Sequence, residues 1–101
     1  MDVSEVVEDL VAEQEALDRV VADLTDEQFR LPTPSDRWSV ADQLGHLTYF
    51  DETAAMAITD PAGFADHRSE LTSSLADPPA VDELTLGSFR QLDPVGQLAA
   101  W

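Results

Sequence analysis

The chain has 101 residues, 44% hydrophobic and 26% charged, which is enough for one small domain spanning 1–101 and too little for a second. Its 21 acidic residues against five basic ones, all arginine, give a formal charge of −16, and with no Lys or Arg cluster neither nucleic acid nor an anionic membrane surface is an expected partner. Cysteine is absent, so there is no disulfide framework or catalytic thiol, and any thiol chemistry has to come from a cofactor.

Val3, Val6, Val7, Leu10, Val11, Leu17, Val21 and Leu24 recur at helical spacing and predict an amphipathic helix from about residue 4 to residue 24. Ser4 is its expected cap, and Glu5 and Glu8 suit the positive end of its dipole. Thr25-Asp26-Glu27-Gln28 has the capping-box pattern, predicting a short turn of helix that carries Phe29 and Leu31 toward the core. Pro32-Thr33-Pro34 stops it, and Ser39 caps a new helix running to about residue 59, with Val40, Leu44, Leu47, Ala54 and Ile58 on one face. Asp60-Pro61 and Asp93-Pro94 each place a cap before a proline at the first helical position. Phe64, Leu71 and Leu75 fit a helix after Pro61 that ends at Asp77-Pro78-Pro79. The stretch 81–92 is ambiguous, since Val81, Leu84 and Leu92 suit a weak helix while Gly87 argues for a break. Val95, Leu98 and Trp101 begin a last helical pattern. Nothing alternates with period two for long enough to be a strand, so the expected fold is all-α. The acidic start of the chain is wrong for a signal peptide, and no apolar run approaches the 18 or so residues of a membrane helix, so a soluble cytoplasmic protein is expected. The acid surplus reads first as an aid to solubility.

Metal-ligating side chains are few: His46, His67 and carboxylates. On a wheel of 100° per residue His46 lies roughly 120° from the centre of the apolar stripe, near Phe50 and Thr53, at the edge of the buried face. Asp42, four residues earlier, shares that side. Three readings are open: both take one metal ion, Asp42 orients the imidazole, or His46 is a satisfied half-buried histidine. His67, between Phe64 and Leu71, reads as a boundary histidine. Asp51 falls at the centre of the stripe and is expected to need a partner, with Arg19, Arg37 and Tyr49 as candidates. No nucleophile–base signature, phosphate-binding glycine loop or zinc-finger spacing is present, and the scattered aromatics read as core or interface anchors.

Leu24-Thr25-Asp26-Glu27-Gln28-Phe29, Pro32-Thr33-Pro34, Trp38-Ser39-Val40 and Asp42-Gln43-Leu44-Gly45-His46-Leu47 follow one another in an order and spacing that resembles the DinB-like, mycothiol-dependent maleylpyruvate isomerase metal-binding domain over roughly residues 1–60. The stretch from Thr59 to Phe64 and the late Leu98-Ala99-Ala100-Trp101 look like an actinobacterial branch of that family. The resemblance implies an up-down four-helix bundle holding one divalent, zinc-like metal. The ligands it implies are a histidine of the second helix and an acid and a histidine of the last. His46 matches the first of these; the others have no counterpart, so the bundle is expected to be incomplete within one chain. The family's glycine before the tryptophan is Arg37 here. In complete members the metal is thought to activate the sulfur of a small thiol.

Two functions follow as expectations. One is a shortened metal-binding, mycothiol-dependent isomerase or transferase domain, weakly active or inactive alone, whose missing helices a second copy replaces in a homodimer. The other is a non-catalytic helical interaction module that has lost the metal site.

Overall fold

The computed structural model describes residues 2–101, and its helices begin where local capping chemistry places them. Thr25 Oγ1 accepts the Gln28 N–H while the Gln28 side chain accepts the Thr25 N–H, and Ser39 and Asp42 form the same reciprocal box. Asp60 and Asp93, each followed by proline, accept the N–H groups of Gly63 and Gly96. The elements are α1 (Val3–Ala22), α2 (Asp26–Phe29), α3 (Val40–Thr59), α4 (Pro61–Ser74), α5 (Pro78–Arg90) and α6 (Pro94–Ala100). The fold is all-α, with no strand among the described residues beyond an isolated bridge between Pro32 and Ser39.

Helix α3 is the spine, packed against α5, α4, α6 and α2. Its buried face is Ala41, Leu44, Gly45 and Thr48, at spacings of three, four and seven. Phe29, Val21 and Phe89 close on that face, with Leu17, Leu24, Leu98 and Trp101 around them. Phe29 and Leu86 are the largest fully buried side chains, each worth roughly 2–3 kcal/mol of apolar burial. Helices α3 and α5 approach closely because residue 45 is glycine: a Cβ there would lie 2.7 Å from Phe89 Cδ1 and 3.1 Å from Leu86 Cδ2.

Three expectations are corrected and one open reading is resolved. Asp2, not Ser4, is the N-cap of α1, and the Ser4 hydroxyl donates to the Asp2 carboxylate. The ambiguous stretch is helical: α5 runs through a buried Gly87 without a break. The apolar face of α3 is rotated from the expected stripe, leaving Ile58 82% exposed and Leu47 at its margin, because the small residues Gly45 and Thr48 form the contact. Asp51 is therefore not buried; it lies in the open, with Gln14 Nε2 at 3.5 Å. Of its candidate partners, Arg37 pairs with Asp82 and Tyr49 with His67.

Helix α1 joins the hydrophobic core by its C-terminal part, through Leu17 and Val21. Val3, Val6, Val7, Leu10 and Val11 are all exposed.

Candidate functional site

Two carboxylates of the α3–α5 layer fix the segment that presents His46. The Arg90 guanidinium donates through Nε to Asp42 Oδ1 at 2.9 Å and through Nη2 to Oδ2 at 3.2 Å, a two-point clamp on the first turn of α3. Burial pushes the Asp42 carboxyl upward, but the hydrogen bonds from Arg90 and Ser39 outweigh it and hold the group below its ordinary range. Asp82 on α5 is buried and takes two donors from the loop before α3: Trp38 Nε1–H on Oδ1 at 3.1 Å and Arg37 Nε on Oδ2 at 3.0 Å. Arg37 reaches it from a left-handed backbone with φ of 66°. That conformation favours glycine, the residue the family resemblance sets at this position.

Anchored through its indole N–H, Trp38 lays its ring 5.0 Å from the His46 imidazole, tilted by 46°. Phe50, one turn further along α3, meets the same imidazole at 4.7 Å, edge to face. His46 is half-buried beside the two rings and makes no hydrogen bond among the described residues. Asp42 shares its helix but has other partners, Arg90 and the Ser39 N–H.

On the flank of α3 facing α4, the Tyr49 hydroxyl meets Nε2 of His67. Burial pushes the Tyr49 phenol up, which favours its protonated form. Tyr49 and His67 line a cavity of about 360 Å³ between α3 and α5, together with Thr48, Glu52, Thr85 and Phe89. Sequence reasoning missed this pair and the buried Asp82; the i, i+4 spacing of Thr48 and Glu52 on α3 was the one available signal of a polar flank.

Among the described residues no three His, Asp or Glu side chains gather as a metal-binding group. A zinc ion normally takes three or four protein ligands, so His46 by itself does not fit one; the other ligands would have to come from outside these 101 residues. No helix among the described residues is long and apolar enough to cross a membrane.

The profile of the family described as "Mycothiol maleylpyruvate isomerase N-terminal domain" matches residues 10–101. Two uncharacterized proteins of Mycobacterium tuberculosis, from strains CDC 1551 / Oshkosh and ATCC 25618 / H37Rv, are each 36% identical over 95 residues. The match covers 94% of this chain and 36% of each relative, so the chain spans about a third of the length of the curated relatives it matches. No solved structure matches. A capped α2, the linker carrying Trp38 and an α3 bearing His46 all fall inside the matched segment, and the chain belongs to the mycothiol maleylpyruvate isomerase N-terminal domain family.

Proposed function

We propose that the chain is the framework of a cytoplasmic, mycothiol-dependent isomerase or transferase domain, to which it contributes His46 as one imidazole ligand of a divalent, zinc-like metal. The observation that carries this reading is the environment of His46: an imidazole held in place by Trp38 and Phe50 at 5.0 and 4.7 Å, with no hydrogen bond among the described residues occupying its nitrogens. The two rings pack against the imidazole, and neither of its nitrogens is taken up by another group among the described residues. Asp42, expected beside it as a second ligand, acts on this reading by capping α3 with Ser39 and tying its first turn to α5 through Arg90. The test is calorimetric titration of zinc into the wild-type chain, His46→Ala and His67→Ala. Weak binding that is lost in His46→Ala and kept in His67→Ala supports the assignment; equal binding by wild type and His46→Ala overturns it.

The exposed apolar residues of α1 favour a second reading, a helical module that associates through that face without metal. Self-association of this kind is also how a second copy would bring a second His46 to the site. Light scattering with and without zinc separates the two. A dimer that needs zinc and His46 supports the metal domain, whereas a dimer insensitive to zinc and broken by Leu10→Lys supports the module.

A further inference from the structure

The cavity between α3 and α5 lies apart from His46, and its lining has a consistent chemical character. Thr48 and Thr85 donate their hydroxyl hydrogens to the Leu44 and Val81 carbonyls, both at 2.9 Å, and Thr53 donates to the Tyr49 carbonyl at 3.0 Å. Their oxygens have given up their hydrogens and keep lone pairs as acceptors, while the Ser88 hydroxyl, also in the lining, makes no hydrogen bond among the described residues. The Tyr49 hydroxyl is paired with Nε2 of His67. Glu52 is the one carboxylate in the lining, no arginine is among the described residues that line it, and Glu52 has no ion-pair partner among the described residues. Phe89 and Met56 supply apolar and polarizable surface beside these acceptors.

A cavity that combines an unpaired carboxylate and threonine acceptors with apolar surface, in a molecule of formal charge −16, repels anions. A group that brings several N–H donors and a positive charge matches both features. We propose that this cavity binds the ammonium group of a small primary amine, with Glu52 as counter-ion, the Thr48 and Thr85 oxygens as acceptors, and the alkyl portion against Phe89 and Met56. Its volume of about 360 Å³ suits a ligand of a few heavy atoms. Binding is a property of this chain's own residues and does not depend on His46 or a metal.

The test compares three probes of one length, n-butylammonium, n-butanol and butyrate, by chemical-shift titration of the Met56 methyl group and the Glu52 and Thr85 amides at about 0.15 M salt, where diffuse attraction to surface acids is screened. The expected result is saturable binding of butylammonium alone, weakened about tenfold by Glu52→Gln and unchanged by Asp9→Asn, an acid of α1 outside the cavity. Glu52 is exposed, so its replacement leaves the core intact. Thr85→Val, which removes an acceptor at constant shape, is expected to weaken binding about threefold. Equal binding of butanol, binding of butyrate, or equal losses in Glu52→Gln and Asp9→Asn would overturn the assignment, the last by showing that the amine follows overall charge and not this cavity.

Discussion

Arg90 reaches from the last turn of α5 to Asp42 in the first turn of α3, with Nε 2.9 Å from Oδ1 and Nη2 3.2 Å from Oδ2. The contact joins residues 48 apart in sequence and completes a carboxylate that already caps its own helix. Because Asp42 is buried and Arg90 is 37% exposed at its side chain, the pair matters chiefly through what its loss leaves behind: an uncompensated buried charge.

Arg90→Ala is accordingly expected to destabilise the chain by about 2–3 kcal/mol in urea unfolding, less than a fully buried broken pair because Arg90 is partly in water. A loss within the range of surface pairs, under about 1 kcal/mol, would mean that Asp42 is satisfied by Ser39 alone.

The same pair gives a pH dependence. The Asp42 carboxyl is lowered from its reference value of 3.8 in the folded state, so its stabilising contribution is fully present above that value and is lost as pH falls through the lower folded value. The stability gap between wild type and Asp42→Asn is therefore expected to be constant near neutral pH and to narrow only below 3.8 in acid titrations followed by circular dichroism. A gap that closes above pH 5 or so would contradict the assigned direction.

Gly45→Ala sets two effects against each other. Alanine favours a helix over glycine by about 1 kcal/mol, but the added Cβ would lie 2.7 Å from Phe89 Cδ1 and 3.1 Å from Leu86 Cδ2, both on buried side chains that cannot swing away. Overpacking wins, and a net loss of about 1–2 kcal/mol is expected by thermal unfolding.

Arg37 couples backbone strain to an ion pair. Arg37→Gly relieves about 1 kcal/mol of left-handed strain at φ of 66° but removes the guanidinium from buried Asp82, so a net loss is expected. In an Asp82→Asn background, where the amide oxygen still accepts from Trp38, the same change is expected to stabilise by about 1 kcal/mol. A double-mutant cycle in which the sign does not reverse would remove either the strain or the ion pair from the account.

Helix starts were legible in the sequence because capping is local: Thr25, Ser39, Asp60 and Asp93 cap within three residues of themselves. The linker and the position of His46 were legible through the family resemblance. Three features were not. The face of α3 was misplaced because Gly45 and Thr48 add nothing to a hydrophobic stripe, yet they make the contact with α5. The continuity of α5 was obscured by Gly87, which argues for a break in isolation but is buried within the packed helix. The partners Asp82 and Arg90 were hidden because nothing local distinguishes an acid that pairs 44 or 45 residues away from the many that face water.

The most direct test of the central claim, that His46 is the imidazole this chain offers to a metal, is a ¹H–¹⁵N spectrum of the two imidazole side chains recorded as zinc is added. The account predicts that one ring nitrogen of His46 moves on metallation while the His67 nitrogens, one of them held by Tyr49, stay where they are. Movement of His67 with His46 unchanged, or of neither ring, would contradict it.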